Sequence, residues 1–141
     1  MLTMIRSAVT GTKNRFQPGQ ATLELALILP VLLLLVFGMI EFGRLYSVDL
    51  GIANAARDGA RAAAVGATDA QVTDIVQKGV QALTLTPSEL GVVVTPVLAS
   101  RVRGATVRVY VYYPVRIYTP VISNVIGETH EVSSAVYMRV E

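Results

Sequence analysis

The chain of 141 residues contains no cysteine and a single histidine, His130. The absence of cysteine excludes a disulfide framework and any thiolate metal site. One histidine is too few for a two-histidine metal site, and we expect His130 to be a surface or strand-edge residue. A glycine-rich dinucleotide motif, a P-loop lysine motif, a GxSxG elbow and an HExxH motif are also missing. These absences predict a protein that is not an enzyme and needs no cofactor or metal.

Acidic residues are absent from the chain before Glu24, whereas Arg6, Lys13 and Arg15 lie in the same stretch. The rest of the chain has nine basic and 10 acidic residues, so its side-chain charge is −1 although the whole chain is +2. A nearly neutral protein has no general attraction for polyanions. No nucleic-acid partner is therefore expected.

A run of 16 apolar residues, Leu25–Ile40, follows Glu24 directly. As a helix it is about 24 Å long, slightly less than the hydrocarbon core of a bilayer. The basic residues before the run place the N-terminus in the cytoplasm. We predict a transmembrane helix over residues 20–42, with a kink or loosening at Pro30, and a periplasmic or extracellular domain over residues 43–141.

The residues before the apolar run differ from a secretory signal peptide, because no small-residue cleavage site follows Ile40. Their order resembles the class III leader of type IV prepilins, which a peptidase cuts after a glycine and in which glutamate is the fifth mature residue. Counting from Gln20, the fifth residue is Glu24. The resemblance implies a prepilin-type leader over residues 1–19 that is cleaved between Gly19 and Gln20.

Glu24 has two interpretations. It is either an interfacial carboxylate near the first turn of a helix, where the helix dipole favours negative charge, or an assembly carboxylate. In the second case, which the resemblance implies, it pairs with the new α-amino group of Gln20 on the same or a neighbouring subunit. Ionisable residues within membranes are usually functional, which favours the second interpretation.

The resemblance extends along the apolar helix. The segments ELALILPVLLLLVFGMIEFGRLY and NAARDGARAAAV are similar to the TadE-like family, which comprises minor pilins or pseudopilins of tight-adherence (Tad, Flp-type) type IVc pilus systems. The similarity covers roughly the first half of the mature chain. It implies a structural subunit for pilus assembly, priming or adhesion in the bacterial inner membrane. The implied partners are a prepilin peptidase, other minor pilins, the major pilin, the inner-membrane assembly platform and the lipid bilayer. The alternative function is a permanently membrane-anchored periplasmic binding module.

The helix is expected to continue beyond the apolar run to about Val65, because no turn motif interrupts it. Gly51, Ala55, Gly59 and Ala63 are four residues apart and form a row of small side chains, which lets another element approach closely. Two alternatives remain open for this row: a contact with another subunit, or packing against the chain's own sheet.

The remaining sequence predicts a second helix and a small sheet. Thr68 and Gln71 form a capping box before the helix, and strands are expected at Val92–Leu98, Thr106–Tyr113 and about Glu131–Val140. A turn is expected at Arg103 and Gly104, and an irregular or edge segment between Pro114 and Pro120. The predicted fold is α+β and pilin-like, with a long N-terminal helix, a short second helix and an antiparallel sheet of three or four strands.

Alternation along the second strand places Val107, Val109 and Val111 on one face of the sheet. Arg108, Tyr110 and Tyr112 then form a candidate surface patch on the other face. Further basic side chains in this region are those of Arg101, Arg103 and Arg116. The combination of basic and aromatic side chains resembles a face for single-stranded nucleic acid. Tyrosine and arginine on an outer sheet face also arise from ordinary cross-strand pairing, and this second interpretation is favoured.

Overall fold

The computed structural model describes residues 18–83, 85–119, 122–124 and 127–141. The predicted leader residues Arg6, Lys13 and Arg15 lie outside this part of the chain. The helices are α1 (Pro18–Ala64) and α2 (Asp69–Val80), and the strands are β1 (Gly91–Thr95), β2 (Thr106–Arg116) and β3 (Thr129–Arg139). The chain divides into two compact units, one ending at Leu33 and the other beginning at Leu34. The predicted α+β fold with a long N-terminal helix is confirmed.

Helix α1 is 47 residues long and includes Pro30 without ending there. The predicted continuation of the apolar helix beyond Ile40 is therefore confirmed. Every residue from Gly19 to Phe37 is exposed in the described structure, as expected for a segment whose apolar surface faces lipid or other helices. Among the described residues, α1 is the one helix long and apolar enough to cross a membrane.

The connection from α1 to α2 is fixed by backbone and capping hydrogen bonds. Gly66 has a φ of +94°, and the amides of Gly66 and Ala67 donate to the carbonyls of Ala63 and Ala62, which ends α1 in a Schellman motif. The backbone amide of Gln71 then donates to the Thr68 hydroxyl at 3.2 Å, while the backbone amide of Thr68 donates to the side-chain oxygen of Gln71 at 2.9 Å. The predicted capping box is confirmed.

The core lies between the C-terminal half of α1, α2 and one face of the sheet. Its fully buried large side chains come from all three layers and are Ile52, Val72, Val76, Val80, Val107, Val109, Val111 and Val115. The alternation predicted for β2 is confirmed, because Val107, Val109 and Val111 are buried while Arg108 is exposed. One sheet face therefore packs on the helices, and the other faces outward.

The sheet is antiparallel in the order β1-β2-β3. Strand β1 is shorter than predicted and ends at Thr95, because Pro96 has no amide hydrogen with which to continue the ladder. Strand β2 is longer than predicted and includes Pro114, so the irregular segment does not begin there. The pairing with β1 ends at Tyr112, and Pro114 thus lies in a part of β2 that pairs with β3 only.

The chain leaves β2 at Arg116 and forms a connection to β3 in which Ile117 and Tyr118 belong to no strand. The prediction of an irregular segment is confirmed for these two residues, while Pro120 lies outside the described residues. His130 is exposed on β3, which is an edge strand of the sheet, as predicted. Gly104 adopts a φ of +85° in the connection before β2, as the expected turn requires.

Candidate functional sites

The candidate cleavage site lies at the very start of α1. Gly19 and Gln20 occupy the first turn, and both are exposed. A Cβ atom at Gly19 would have no heavy atom within 4 Å, so the structure itself imposes no packing requirement for glycine.

Glu24 lies two turns into α1 and its side chain is exposed. It forms no hydrogen bond or ion pair with another residue of the described chain. The neighbouring large side chains, Leu23 and Leu25, are 64% and 60% exposed. A carboxylate surrounded by exposed apolar side chains suits a contact made outside this chain, since it would be desolvated by a bilayer or by neighbouring helices.

The row of small residues in α1 packs against α2 and the turn that follows it. A Cβ atom at Gly59 would lie 2.7 Å from Val76 Cγ2, and a Cβ atom at Gly79 would lie 3.2 Å from Ala55 Cβ. At Gly51 the added atom would meet the side chain of Leu83. Ala63, at the end of the row, is fully buried. The close approach is thus made within the chain, mainly with α2 and the turn after it, while Val109 Cγ1 of the sheet lies 3.5 Å from an added Cβ atom at Gly59.

A polar cluster joins α1 to the end of β2 at the level where the apolar run ends. Glu41 is 6% exposed and forms an ion pair with Arg44, one turn further along the helix, as expected for boundary residues on one helix face. The Arg44 guanidinium also donates to the carbonyl of Arg116, and the Thr119 hydroxyl donates to Glu41 at 3.4 Å. The guanidinium lies 4.8 Å from the ring centroid of Tyr118. These contacts hold residues 116–119 against the helix.

The outer face of the sheet carries the predicted surface patch. The rings of Tyr110 and Tyr112 are 5.6 Å apart, and the Arg108 guanidinium lies 5.0 Å from the centroid of Tyr110. Tyr137 on β3 completes the patch, since it pairs with Arg108 across the strands and its ring is 5.8 Å from the guanidinium. The sequence alone does not indicate Tyr137 as part of this patch, although the alternation of β3 places it on this face once the register is known.

Arg101 does not belong to that face, and the sequence-based grouping was wrong for this residue. Its side chain is only 2% exposed and forms an ion pair with Asp69 at the start of α2. It also donates to the carbonyls of Ala67 at 2.6 Å, Pro96 at 3.1 Å and Ala63 at 3.3 Å. Arg101 therefore stabilises the end of α1, whose last carbonyls carry partial negative charge.

The structure thus brings the predicted residues together as three separate features. They are the helix start with Gly19, Gln20 and Glu24, the buried row that begins at Gly51, and the outer patch with Arg108. No group of three or more histidine, aspartate or glutamate residues suited to holding a metal ion occurs in the described part of the chain. The chemistry these features offer is recognition and packing.

These features define a class of protein with one N-terminal helix able to anchor it in a membrane and an α+β globular part. The model of a family described as TadE-like protein matches residues 19–61. The match confirms the resemblance found in the sequence and associates the chain with Tad pilus systems. It ends within α1, so that α2 and the sheet lie outside it. No curated protein and no solved structure gives a significant match to the chain.

Proposed function

We propose that this protein is a minor pilin or pseudopilin of a Tad pilus, a structural subunit without catalytic activity. A prepilin peptidase removes residues 1–19, and the mature protein starts at Gln20. The protein is held in the bacterial inner membrane with its N-terminus in the cytoplasm and the sheet in the periplasm. From there it joins other minor pilins, the major pilin and the assembly platform, and takes part in priming, assembly or adhesion of the fibre.

The observation that carries this proposal is the arrangement at the start of α1. An exposed Gly19-Gln20 pair stands four residues before an exposed carboxylate, at the head of a helix that continues into the packed core. The family match begins at the same glycine. A subunit that is first anchored and later extracted into a fibre needs a cleavage site and a carboxylate at the start of such a helix. The one helix then serves as both the membrane anchor and the scaffold of the globular part.

The experiment is an intact-mass measurement of the membrane-extracted protein, expressed with and without a Tad-type prepilin peptidase. We expect a full-length chain without the peptidase and a chain that starts at Gln20 with it. Gly19→Leu is expected to block cleavage, because the peptidase reads the residue before the cut.

Gly38→Leu provides the matched control. It lies in the same helix and, like Gly19, has no neighbouring atom within 4 Å of an added Cβ, so it is expected to be cleaved normally. A full-length chain in the presence of peptidase would contradict the proposal.

The outer patch favours a second candidate function, a permanently anchored periplasmic binding module. Arg108 lies between Tyr110 and Tyr137 on the outer face of the sheet, and a face with these side chains suits ligand recognition. Retention of the uncut protein in the inner membrane would support this function. Recovery of the cleaved protein in sheared pili would support the first.

A further inference from the structure

The exposed aromatic residues of this protein are not spread evenly over the described chain. Five aromatic side chains are at least half exposed, namely Phe37, Phe42, Tyr46, Tyr118 and Tyr137. Phe37 lies in the apolar run, whereas Phe42, Tyr46 and Tyr118 lie at the level where this run ends. Only Tyr137 is elsewhere among these five. Aromatic side chains are enriched where a membrane protein passes through the interface between hydrocarbon and water.

The level of the membrane boundary follows from the length of the apolar segment. A bilayer core of about 30 Å needs about 20 helical residues, which corresponds to the stretch from Ala21 to Ile40. The first charged residues beyond this stretch, Glu41 and Arg44, lie within about one turn of Ile40. The polar headgroup layer therefore begins at Glu41.

The connection after β2 is fixed at the same level by contacts with α1. Thr119 donates to Glu41, and Arg44 contacts both the carbonyl of Arg116 and the ring of Tyr118. Tyr118 is 73% exposed and the Arg116 side chain is 70% exposed. On α1, Phe42 and Tyr46 stack with their ring centroids 6.5 Å apart and are also exposed.

We propose that Phe42, Tyr46, Arg116 and Tyr118 form a juxtamembrane surface that binds the phospholipid headgroup layer of the bilayer that α1 crosses. Phe42 lies close to the boundary between headgroups and acyl chains, and Tyr46 lies about 6 Å further along α1, in the headgroup layer. The Arg116 guanidinium, whose nearest carboxylate oxygen on Glu89 is 3.7 Å away, donates to lipid phosphate. This inference requires that α1 spans a membrane, and it does not depend on the pilus function proposed above.

The absence of tryptophan from the chain allows a direct test with single-tryptophan variants. The full-length protein is reconstituted into vesicles of phosphatidylcholine and phosphatidylglycerol, with or without bromine on the acyl chains close to the glycerol. Tyr118→Trp is the test variant. Phe42→Trp reports a residue directly after the apolar run. Tyr137→Trp is the matched control, because Tyr137 is 62% exposed and its cross-strand partner Arg108 is about 26 Å along β2 from Arg116.

We expect bromine to quench Tyr118→Trp to a similar extent as Phe42→Trp, and several-fold more than Tyr137→Trp. Adding Arg116→Glu to Tyr118→Trp is expected to lower the quenching, since a carboxylate is repelled by lipid phosphate. Circular dichroism and thermal unfolding of each variant confirm that the fold is retained. Quenching of Tyr118→Trp no greater than that of Tyr137→Trp would overturn the proposal. Unchanged quenching in the Arg116→Glu background would overturn the role given to Arg116.

Discussion

Arg101 joins three segments of the globular part that are far apart in sequence. Its guanidinium contacts the end of α1, the start of α2 and the connection after β1. The charge suits this position, because the carbonyl end of one helix and a carboxylate at the amide end of another both attract a cation. Loss of the side chain would leave the carbonyls of Ala63 and Ala67 and the Asp69 carboxylate without this partner.

We therefore expect Arg101→Ala to lower the free energy of unfolding by about 2 kcal/mol, because carbonyls lose their buried donor, which costs about 1 to 3 kcal/mol, whereas the remaining Asp69 side chain is 39% exposed. Arg103→Ala is the control, since Arg103 is exposed and only two residues away. It is expected to change the free energy of unfolding by less than about 0.5 kcal/mol. Thermal or denaturant unfolding of the detergent-solubilised protein measures both. Equal effects of the two substitutions would show that Arg101 has no special structural role.

The sequence does not distinguish Arg101 from Arg103, because both lie in the same short connection between two strands. Only the path of the chain buries one guanidinium among carbonyl groups and leaves the other exposed. The position of Tyr137 cannot be predicted from the sequence either, since its place beside Arg108 depends on the register between β2 and β3. Residue types that suit either a surface or a buried contact cannot be assigned from their spacing alone.

The packing of α1 on α2 depends on the small residues in the row that begins at Gly51. Gly59→Ala would place a Cβ atom 2.7 Å from Val76 Cγ2 and 3.4 Å from Val72 Cγ1. Separating the helices to make room is expected to cost about 1 to 3 kcal/mol of unfolding free energy. A loss of about 2 kcal/mol, the middle of this range, exceeds the gain of about 1 kcal/mol that alanine normally gives over glycine within a helix.

Gly43→Ala is the control for this prediction, because an added Cβ atom at Gly43 has no heavy atom within 4 Å. This variant should unfold at the same temperature as the parent protein or at a higher one. Gly59→Ala should unfold at a lower temperature. A stabilised Gly59→Ala protein would mean that α2 does not pack closely on α1 in solution.

The secondary-structure features that depend on neighbouring residues in the sequence were predicted correctly. The capping box at Thr68, the alternation of β2 and the length of α1 all follow from nearby residues, and all three are confirmed. The covering of the small-residue row by α2 was not predicted, because a row of small residues specifies close approach but not the approaching element. Pro114 was similarly ambiguous, since its acceptance within β2 depends on where β1 stops.

The protein combines a well-packed globular part with an N-terminal segment whose apolar side chains are exposed in the described part of the chain. From Gly19 to Phe37 every side chain is exposed, and Glu24 is the one ionisable residue in that segment. An unpaired carboxylate at mid-bilayer costs about 2.5 to 3.5 kcal/mol, and less near the interface. In the proposed pilin function this cost is offset, because the charge can pair with the α-amino group of Gln20 that cleavage creates.

We expect Glu24→Gln to leave membrane insertion intact and to reduce incorporation into pili or complexes of minor pilins. The amide has a similar shape to the carboxylate but lacks the charge that attracts the α-amino group. Incorporation is measured as the fraction of the protein recovered in sheared pili or in co-purified complexes. Intact mass must first show that the variant is cleaved normally, so that a loss reflects assembly rather than processing.

Asp58→Asn is the matched control, because it makes the same carboxylate-to-amide change at an exposed position of α1 outside the apolar run. It is expected to be incorporated at the level of the parent protein. Normal incorporation of Glu24→Gln would show that Glu24 has no role in assembly. The carboxylate would then serve only to interact favourably with the dipole at the start of α1. Equal losses for both variants would attribute the effect to total charge rather than to the position of Glu24 within the membrane segment.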